Sequence, residues 1–400
     1  MRLSTSQIFQ QGINSILEQQ ARLNRTQLQI STGERITTPS DDPGGIVQIL
    51  DFADQIATVE QYQRNGSAAE TQLQLEENVL TNLGNSLQRV RELLVQGNND
   101  VLSDADRQSI ATELRGIRQE IQSLSNSRDT NGDYLFAGYQ VNTQPFTFNN
   151  GSVQYNGDQG QRLVQLGPAS QVAVNDSGAE LLLRIPEGNG QFTVAPNAAN
   201  SGTGVVGELT SNGNFVRDTY TLTFSQATPA APITYQVVDS SAGAVASGTY
   251  QQGDSISFNG AQIDLSGTPA NGDSFTVTPA SNRDLFAIVD SAITALESPG
   301  QNSAETALFH SAINRALEGI DNSVENVLRV RTSIGVRLNT VESQQGLNED
   351  SLLRLQQLES AVKDLDITQA ISELNFQQVS LQAAQQSYVR IQGLSLFQLL

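Results

Sequence analysis

The 400-residue chain contains no cysteine and a single histidine, His310. Thiol catalysis, disulfides, zinc fingers and the HExxH class of zinc enzyme are excluded by those counts alone. No apolar run approaches the roughly 20 residues that span a bilayer, so no membrane insertion is expected. The opening MRLSTSQIFQQG has neither an apolar h-region nor a small-residue cleavage site, and so does not read as a secretory signal peptide. Basic residues are scarce: 22 against 42 acids give a formal charge of -20, and Lys363 is the one lysine. Phosphate binding depends on clustered Lys and Arg, so no nucleic-acid partner is expected. What is present is a length that leaves room for two or three domains, with 38% hydrophobic and 16% charged residues. That balance is neither a disordered polyampholyte nor a membrane protein.

Proline and glycine divide the chain. Eight of the 11 prolines and 17 of the 32 glycines fall within residues 140–282; none of the prolines lies between Pro43 and Pro145 or after Pro299. The middle zone also holds six Asn-Gly pairs, starting at Asn150, Asn156, Asn189, Asn212, Asn259 and Asn271. Asn-Gly is a strong hairpin signal because both residues tolerate positive φ. Alternating runs such as Tyr220-Leu222-Phe224 and Phe275-Val277 show the period of half-buried strands, and GDSISF at 253–258 echoes GDSFTV at 272–277. Residues 140–282 read as an all-β insert carrying net charge -7, from three Arg against ten acids.

The flanks read as helix. From Ile313, alternating steps of four and three visit Leu317, Ile320, Val324, Val327, Arg331, Ile334, Leu338, Val341, Gln345, Asn348, Leu352, Leu355, Glu359 and Val362; eleven of these 15 positions are apolar. A sustained 3.5-residue repeat is a coiled-coil seam, and a helix over 303–362 is about 90 Å long. The same stepping fits Leu73, Glu76, Leu80, Leu83, Leu87, Val90, Leu94, and again Ile110, Leu114, Ile117, Ile121, Leu124. Gly97-Asn98-Asn99 stops the first of these helices, and Ser103 with Asp106 is a capping box for the second. The fold class is therefore α+β: an elongated antiparallel helical bundle built from both chain ends, with an all-β central insert.

The ends form a third zone. Phe9, Ile13, Ile16, Gln20, Leu23, Gln27 and Ile30 make one seam; Ile367, Ile371, Leu374, Gln378, Leu381, Gln385 and Tyr388 make its counterpart, continued by Ile391, Leu394, Phe397 and Leu400. The second seam is one residue out of phase with the long helix, so Lys363-Asp364-Leu365-Asp366 marks a joint between rigid parts. Residues 367–400 contain one acid, Glu373, and one base, Arg390. A nearly uncharged, Gln-rich amphipathic helix is a poor solvated surface, so these ends are expected to assemble with other molecules rather than pair alone. The expected domains are 1–42 with 363–400, 43–139 with 283–362, and 140–282.

Catalytic patterns carry little weight. GTGVVG at 202–207 matches GxGxxG but lacks the strand-turn-helix context of a dinucleotide site, and a turn is the better reading. Asp129, Asn131 and Asp133 resemble a calcium loop, yet Gln140 stands where its glutamate belongs. His310 has no GxSxG elbow to serve. A carboxylate pair in the β insert is the remaining hydrolytic option. No cofactor or metal is expected.

The opening MRLSTSQIFQQGINSILEQQARLNRTQLQISTGERITTPSDDPGGI, the GDYLFAGYQVNTQPF stretch at 132–146, the GDSFTV hairpin and the terminal IQGLSLFQLL resemble the hook-associated protein 3 family. These are hook–filament junction proteins of bacterial flagella, relatives of flagellin. The resemblance covers both flanks well and the insert loosely. It implies a structural, non-enzymatic subunit placed outside the cell and exported through the flagellar type III apparatus without a cleaved signal. It further implies terminal helices that are loose in the monomer and pack into a tubular core. The implied partners are hook-associated protein 1, flagellin, further copies in a ring, and a cytosolic export chaperone holding residues 363–400. A flagellin filament subunit, or a surface binding or hydrolytic module in the insert, are the competing readings.

Overall fold

The computed structural model describes residues 5–149 and 152–397. The chain divides into two compact units, Met1–Asn65 with Ser343–Leu400, and Gly66–Glu342. Two long helices, α2 (Pro43–Gly97) and α5 (Ser303–Lys363), each contribute residues to both.

In the larger unit α2 and α5 are joined by α3 (Asp104–Ser125) and α4 (Leu285–Glu297). Local chemistry sets the boundaries. Helix α2 stops at Gly97, whose carbonyl accepts Arg107 Nε at 3.2 Å; Arg107 Nη2 reaches Asn99 O at 2.9 Å. The expected capping box is present, with Ser103 Oγ accepting from Asp106 N at 3.2 Å and the Asp106 carboxylate accepting from Ser103 N at 3.1 Å. Asp284 caps α4 through Ala287 N at 2.7 Å. All seven stepped positions of α2, Leu73 to Leu94, are buried, and none of the fifteen positions along α5 is exposed. The 3.5-residue repeat is thus the core stripe of a real bundle.

The β region has two parts that differ in what they pack against. Strands β1 (Phe146–Asn149) with β2 (Ser152–Tyr155) and β3 (Leu163–Gly167) with β4 (Ser170–Ala173) form hairpins, followed by a short π-helical turn, Ala179–Leu183. Phe146, Leu166, Val172, Leu181 and Leu182 join the same hydrophobic core as the helices. Beyond a neck made by β5 (Ile185–Pro186) and β14 (Asn282–Arg283) the strands close over a separate core. One antiparallel sheet has β6 (Phe192–Pro196), β8 (Tyr220–Ser225), β9 (Ile233–Val238), β10 (Ala244–Tyr250) and β13 (Ser274–Pro279) in the order β10-β9-β8-β13-β6. The other places β12 (Ala261–Ser266) between β11 (Ser255–Phe258) and β7 (Val205–Ser211). Phe192, Tyr220, Phe224 and Phe275 of the first sheet and Phe258, Ile263 and Leu265 of the second share one core, which makes a β sandwich. The two-residue β11–β12 hairpin turns on Asn259 (φ 40) and Gly260 (φ 81), the left-handed pair that Asn-Gly supplies. The Asn150-Gly151 pair lies outside the described residues.

The look-alike motifs resolve into local structure. The Asp273 carboxylate accepts Ser201 N (2.8 Å), Gly202 N (3.0 Å) and Ala270 N (2.8 Å), so the chain's own carboxylate fills the amide cradle that opens the GTGVVG stretch. Asp129 Oδ1 accepts Asn131 N (2.8 Å) and Asp133 N (3.0 Å), a turn closed on itself. His310 bridges Asn98 (2.7 Å) and Asp100 (2.8 Å) beside the end of α2.

Candidate assembly surface at the paired chain ends

In the smaller unit α1 (Thr5–Thr32) and α6 (Ile367–Phe397) lie antiparallel. The Phe9 and Tyr388 rings meet edge-to-face at one end, with centroids 6.2 Å apart, while Leu365 N donates to Gly33 O at 2.9 Å at the other. The facing positions recur with heptad spacing: Phe9, Gly12, Ile16, Gln19, Leu23, Thr26 and Ile30 against Ala370, Leu374, Gln377, Leu381, Ala384 and Tyr388. Large residues alternate with small or polar ones, which lets the backbones approach. A Cβ at Gly12 would already stand 3.0 Å from the Tyr388 ring. Only Thr26, Ala370 and Gln377 of this set are buried; the others are half-buried. The helices are formed and paired, yet their seam stays half open.

The sequence-derived seam divides accordingly. Phe9, Ile16, Leu23, Ile30, Leu374, Leu381 and Tyr388 face the partner helix, whereas Ile13, Ile367 and Ile371 are exposed. Ile391, Leu394 and Phe397 lie on the α6 backbone, with their side chains outside the described set, and Leu400 lies outside the described residues. Periodicity along one stripe passed over Leu17, Leu28, Phe376, Val379 and Val389, which are exposed large apolar residues. Phe376 is 72% exposed and Val379 66%. At 100° per residue, Phe376 and Val379 project roughly 120–180° away from the Ala370–Leu374–Gln377–Leu381 stripe. Apolar side chains on several sides mark a helix made to be covered on several sides. The available signal was the near absence of charge across 367–400.

A compact joint closes the pair. Arg35 N donates to Lys363 O (2.7 Å), and the Arg35 guanidinium reaches Val362 O through Nη2 (2.8 Å) and Nε (3.2 Å), satisfying carbonyls at the end of α5. Lys363, the lone lysine, pairs with Glu34 at 3.0 Å, and this hydrogen bond holds its ammonium above the usual lysine value. The TTPSDDPGG stretch explains itself residue by residue. Asp41 accepts Thr37 Oγ1 (3.0 Å) and Thr38 N (2.9 Å), bonds that hold its carboxyl below the usual range. Asp42 caps α2 through Gly45 N (2.9 Å), and Pro43 takes the first helical position. Gly45 leaves room for buried Ile36, whose Cδ1 would lie 2.5 Å from a Cβ there.

Paired helical ends with an open apolar surface, in a chain whose middle folds as a helical bundle and a β insert, define a flagellin-like structural subunit. The family model for the bacterial flagellin N-terminal helical region matches residues 3–141. Flagellar hook-associated protein 3 of Escherichia coli (strain K12) is 31% identical over 400 residues, covering 100% of this chain and 99% of that protein. A crystal structure of flagellar hook-associated protein 3 from Legionella pneumophila is 34% identical with a TM-score of 0.75, over 78% of this chain and 98% of that one. The match to phase 1 flagellin of Salmonella naestved, 34% identical, stops after 119 residues, 30% of this chain and 24% of that protein. The chain belongs to the flagellar hook-associated protein 3 family, whose members are structural components of the flagellar junction. Among the described residues no helix is long and apolar enough to cross a membrane.

Proposed function

We propose that this chain is a non-enzymatic subunit of the hook–filament junction, assembled outside the cell by packing of α1 and α6 into a tubular core. It joins hook-associated protein 1 on the hook side to flagellin on the filament side, as one of a ring of copies. It leaves the cell through the flagellar type III apparatus, with residues 363–400 held by a cytosolic chaperone beforehand. Residues 1–42 with 363–400 form the inner core layer, 43–139 with 283–362 the outer bundle, and 140–282 the β-rich insert. The observation that carries this reading is the end-to-end match to hook-associated protein 3, set against a flagellin match confined to less than a third of the chain. The exposed apolar residues of α1 and α6 support the assembly step, because they need cover that one chain does not supply.

Deleting the gene in its host tests the proposal. The expected phenotype is intact hooks without filaments, with flagellin lost to the medium and motility restored by the full-length gene. Normal filaments in the deletion strain would overturn it. Indefinite polymerisation of the purified protein alone would move the assignment to flagellin.

A further inference from the structure

The paired ends carry two apolar surfaces of different shape, and one chain covers neither. On α1, Ile13, Leu17 and Leu28 are exposed; at 100° per residue they fall roughly 120° round the helix from its seam. On α6, exposed Ile367, Ile371 and Val389 fall roughly 60–100° from the facing seam, in the same rotational sense. Antiparallel helices with facing seams carry stripes of equal sense to one side of the pair. The Phe9–Tyr388 contact and the Leu365–Gly33 bond fix the level of the two helices. Leu28 therefore lies between Ile367 and Ile371 along the axis, with Ile13 and Leu17 toward Val389. The result is one broad side face shared by both helices. The second surface is narrow: Phe376, Val379 and exposed Ala383, spaced i, i+3, i+7, make a single ridge on the back of α6.

Charge is kept off both surfaces. Glu18, Arg22 and Arg25 are the charged residues of α1, and the same arithmetic puts them on the flank turned away from the side face. Glu18 and Arg22 stand 3.8 Å apart there, both largely exposed. On α6, Glu373 falls on the opposite side of the seam from Ile371, and Arg390 lies beyond the ridge, seven residues after Ala383. A chain with a formal charge of -20 repels its own copies, so a contact between copies requires surfaces free of like charge.

We propose that these surfaces are the two halves of one repeated contact: the Phe376–Val379–Ala383 ridge of one copy packs against the α1–α6 side face of the next. A ridge and a broad face of the same uncharged chemistry stand on every copy, whereas a single foreign helix covers one of them and leaves the other open. A contact between unlike patches is heterologous, and it repeats from copy to copy until the rotation closes a ring. Two-fold pairing of like with like covers only one of the two surfaces in each copy. In the heterologous arrangement each chain gives its ridge and receives a ridge, so the exposed apolar residues of both helices are covered. The Glu18–Arg22–Arg25 flank of α1 stays in water. This inference rests on the assembly reading and adds to it which face meets which, with a second copy of the chain as the partner.

Photo-crosslinking in assembled flagella tests the contact. The full-length chain, with p-benzoylphenylalanine in place of Phe376, complements a strain lacking the gene, and the isolated flagella are irradiated. The expected product has twice the mass of the chain, and its crosslinked peptide joins position 376 to residues 13–28 or 367–371 of a second copy. The same analogue in place of Arg22, on the charged flank, is expected to give no product of doubled mass. Three results overturn the proposal in flagella that carry filaments: a crosslink from 376 to 376–383 of the second copy, a crosslink to a different protein, or none between molecules. Where the analogue at 376 blocks incorporation, the cysteine-free chain offers a second route, Val379→Cys combined in turn with Ile13→Cys, Leu17→Cys and Leu28→Cys. At least one pair is expected to give a ladder of disulfide-linked multimers on oxidation and each single variant only monomer. Dimers from Val379→Cys alone, or no ladder from any pair, overturn the proposal. Normal filaments in flagella that lack this chain count instead against the assembly reading, which separates the two failures.

Discussion

Two helical seams in this chain obey the same 3.5-residue arithmetic and reach different ends. In the bundle, Leu73, Leu80, Leu83, Leu87, Val90 and Leu94 of α2 are all buried in one core shared with residues of α3, α4 and α5. In the terminal pair, α1 and α6 leave most facing positions half open, with further apolar residues pointing outward. The difference lies in the number of neighbours: two helices can cover one stripe each, whereas four enclose a core. A helix such as α6, apolar on several sides, is finished only by additional helices. In the proposed assembly, that cover comes from helices of other molecules.

The largest expected effect breaks this comparison most directly. Phe376→Asp or Val379→Asp is expected to abolish incorporation into the junction while changing monomer stability by less than about 0.5 kcal/mol, the usual range for exposed sites. Electron microscopy of complemented cells and urea unfolding of the purified chain measure the two quantities. A large loss of monomer stability would mean those faces are already covered within one chain. Next in size, Leu87→Ala removes a fully buried leucine and is expected to cost about 2–5 kcal/mol of unfolding free energy. Ile13→Ala, on the open stripe of α1, is expected to cost less than about 0.5 kcal/mol by the same urea titration.

Much of the fold could be read from residue patterns because its signals are local. The Ser103 capping box, the stop at Gly97, the long α5 and the Asn259-Gly260 hairpin each depend on a few neighbouring residues. The sharing of residues 146–185 between strands and the helical core was not legible, since it depends on contacts such as Asn326 with Glu180 across the chain. On the terminal surface, heptad stepping found the stripe that includes Leu374 and Leu381 but missed Phe376 and Val379. A single-stripe search discards apolar residues that fall off its phase. Lys363 had no evident role until Glu34, 329 positions earlier, was placed beside it.

An acid inside the finished seam sets the third prediction. Glu76 is 1% exposed; its Oε1 accepts Asp176 N at 3.1 Å, while Oε2 has no partner among the described residues. Arg337 is committed to the Asp176 carboxylate, at 2.9 and 2.7 Å. Burial, then the Asp176 charge, pushes the Glu76 carboxyl up to about 8, from an ordinary value of 4.5. The folded state thus holds a proton that the unfolded chain gives up. The stabilising contribution is complete below about pH 4.5 and is lost as pH rises through about 8. Glu76→Gln is expected to match the parent at pH 5 and to exceed it by a few kcal/mol at pH 9. Urea midpoints at pH 5, 7 and 9 decide it, and parallel curves for the two proteins would refute a neutral buried Glu76.

A further contrast concerns the joint, where a conspicuous charge does less than the hydrogen bonds around it. Lys363 and Glu34 are each 37% exposed, so water and salt screen their attraction, and such pairs contribute at most about 1 kcal/mol. Arg35 N to Lys363 O, Leu365 N to Gly33 O and the guanidinium on Val362 O hold the same joint without using the lysine side chain. Lys363→Met is therefore expected to lower stability by less than about 1 kcal/mol, and by less still in high salt. Arg35→Ala, which frees the α5 carbonyl it bonds and also removes an exposed ion pair with Asp42 at 3.5 Å, is expected to cost about 1–3 kcal/mol, of which only the ion-pair part fades in high salt. Thermal unfolding of both variants at low and high salt orders the two contributions. If Lys363→Met proves the more damaging, the ion pair contributes more than the guanidinium–carbonyl bonds to fastening the joint.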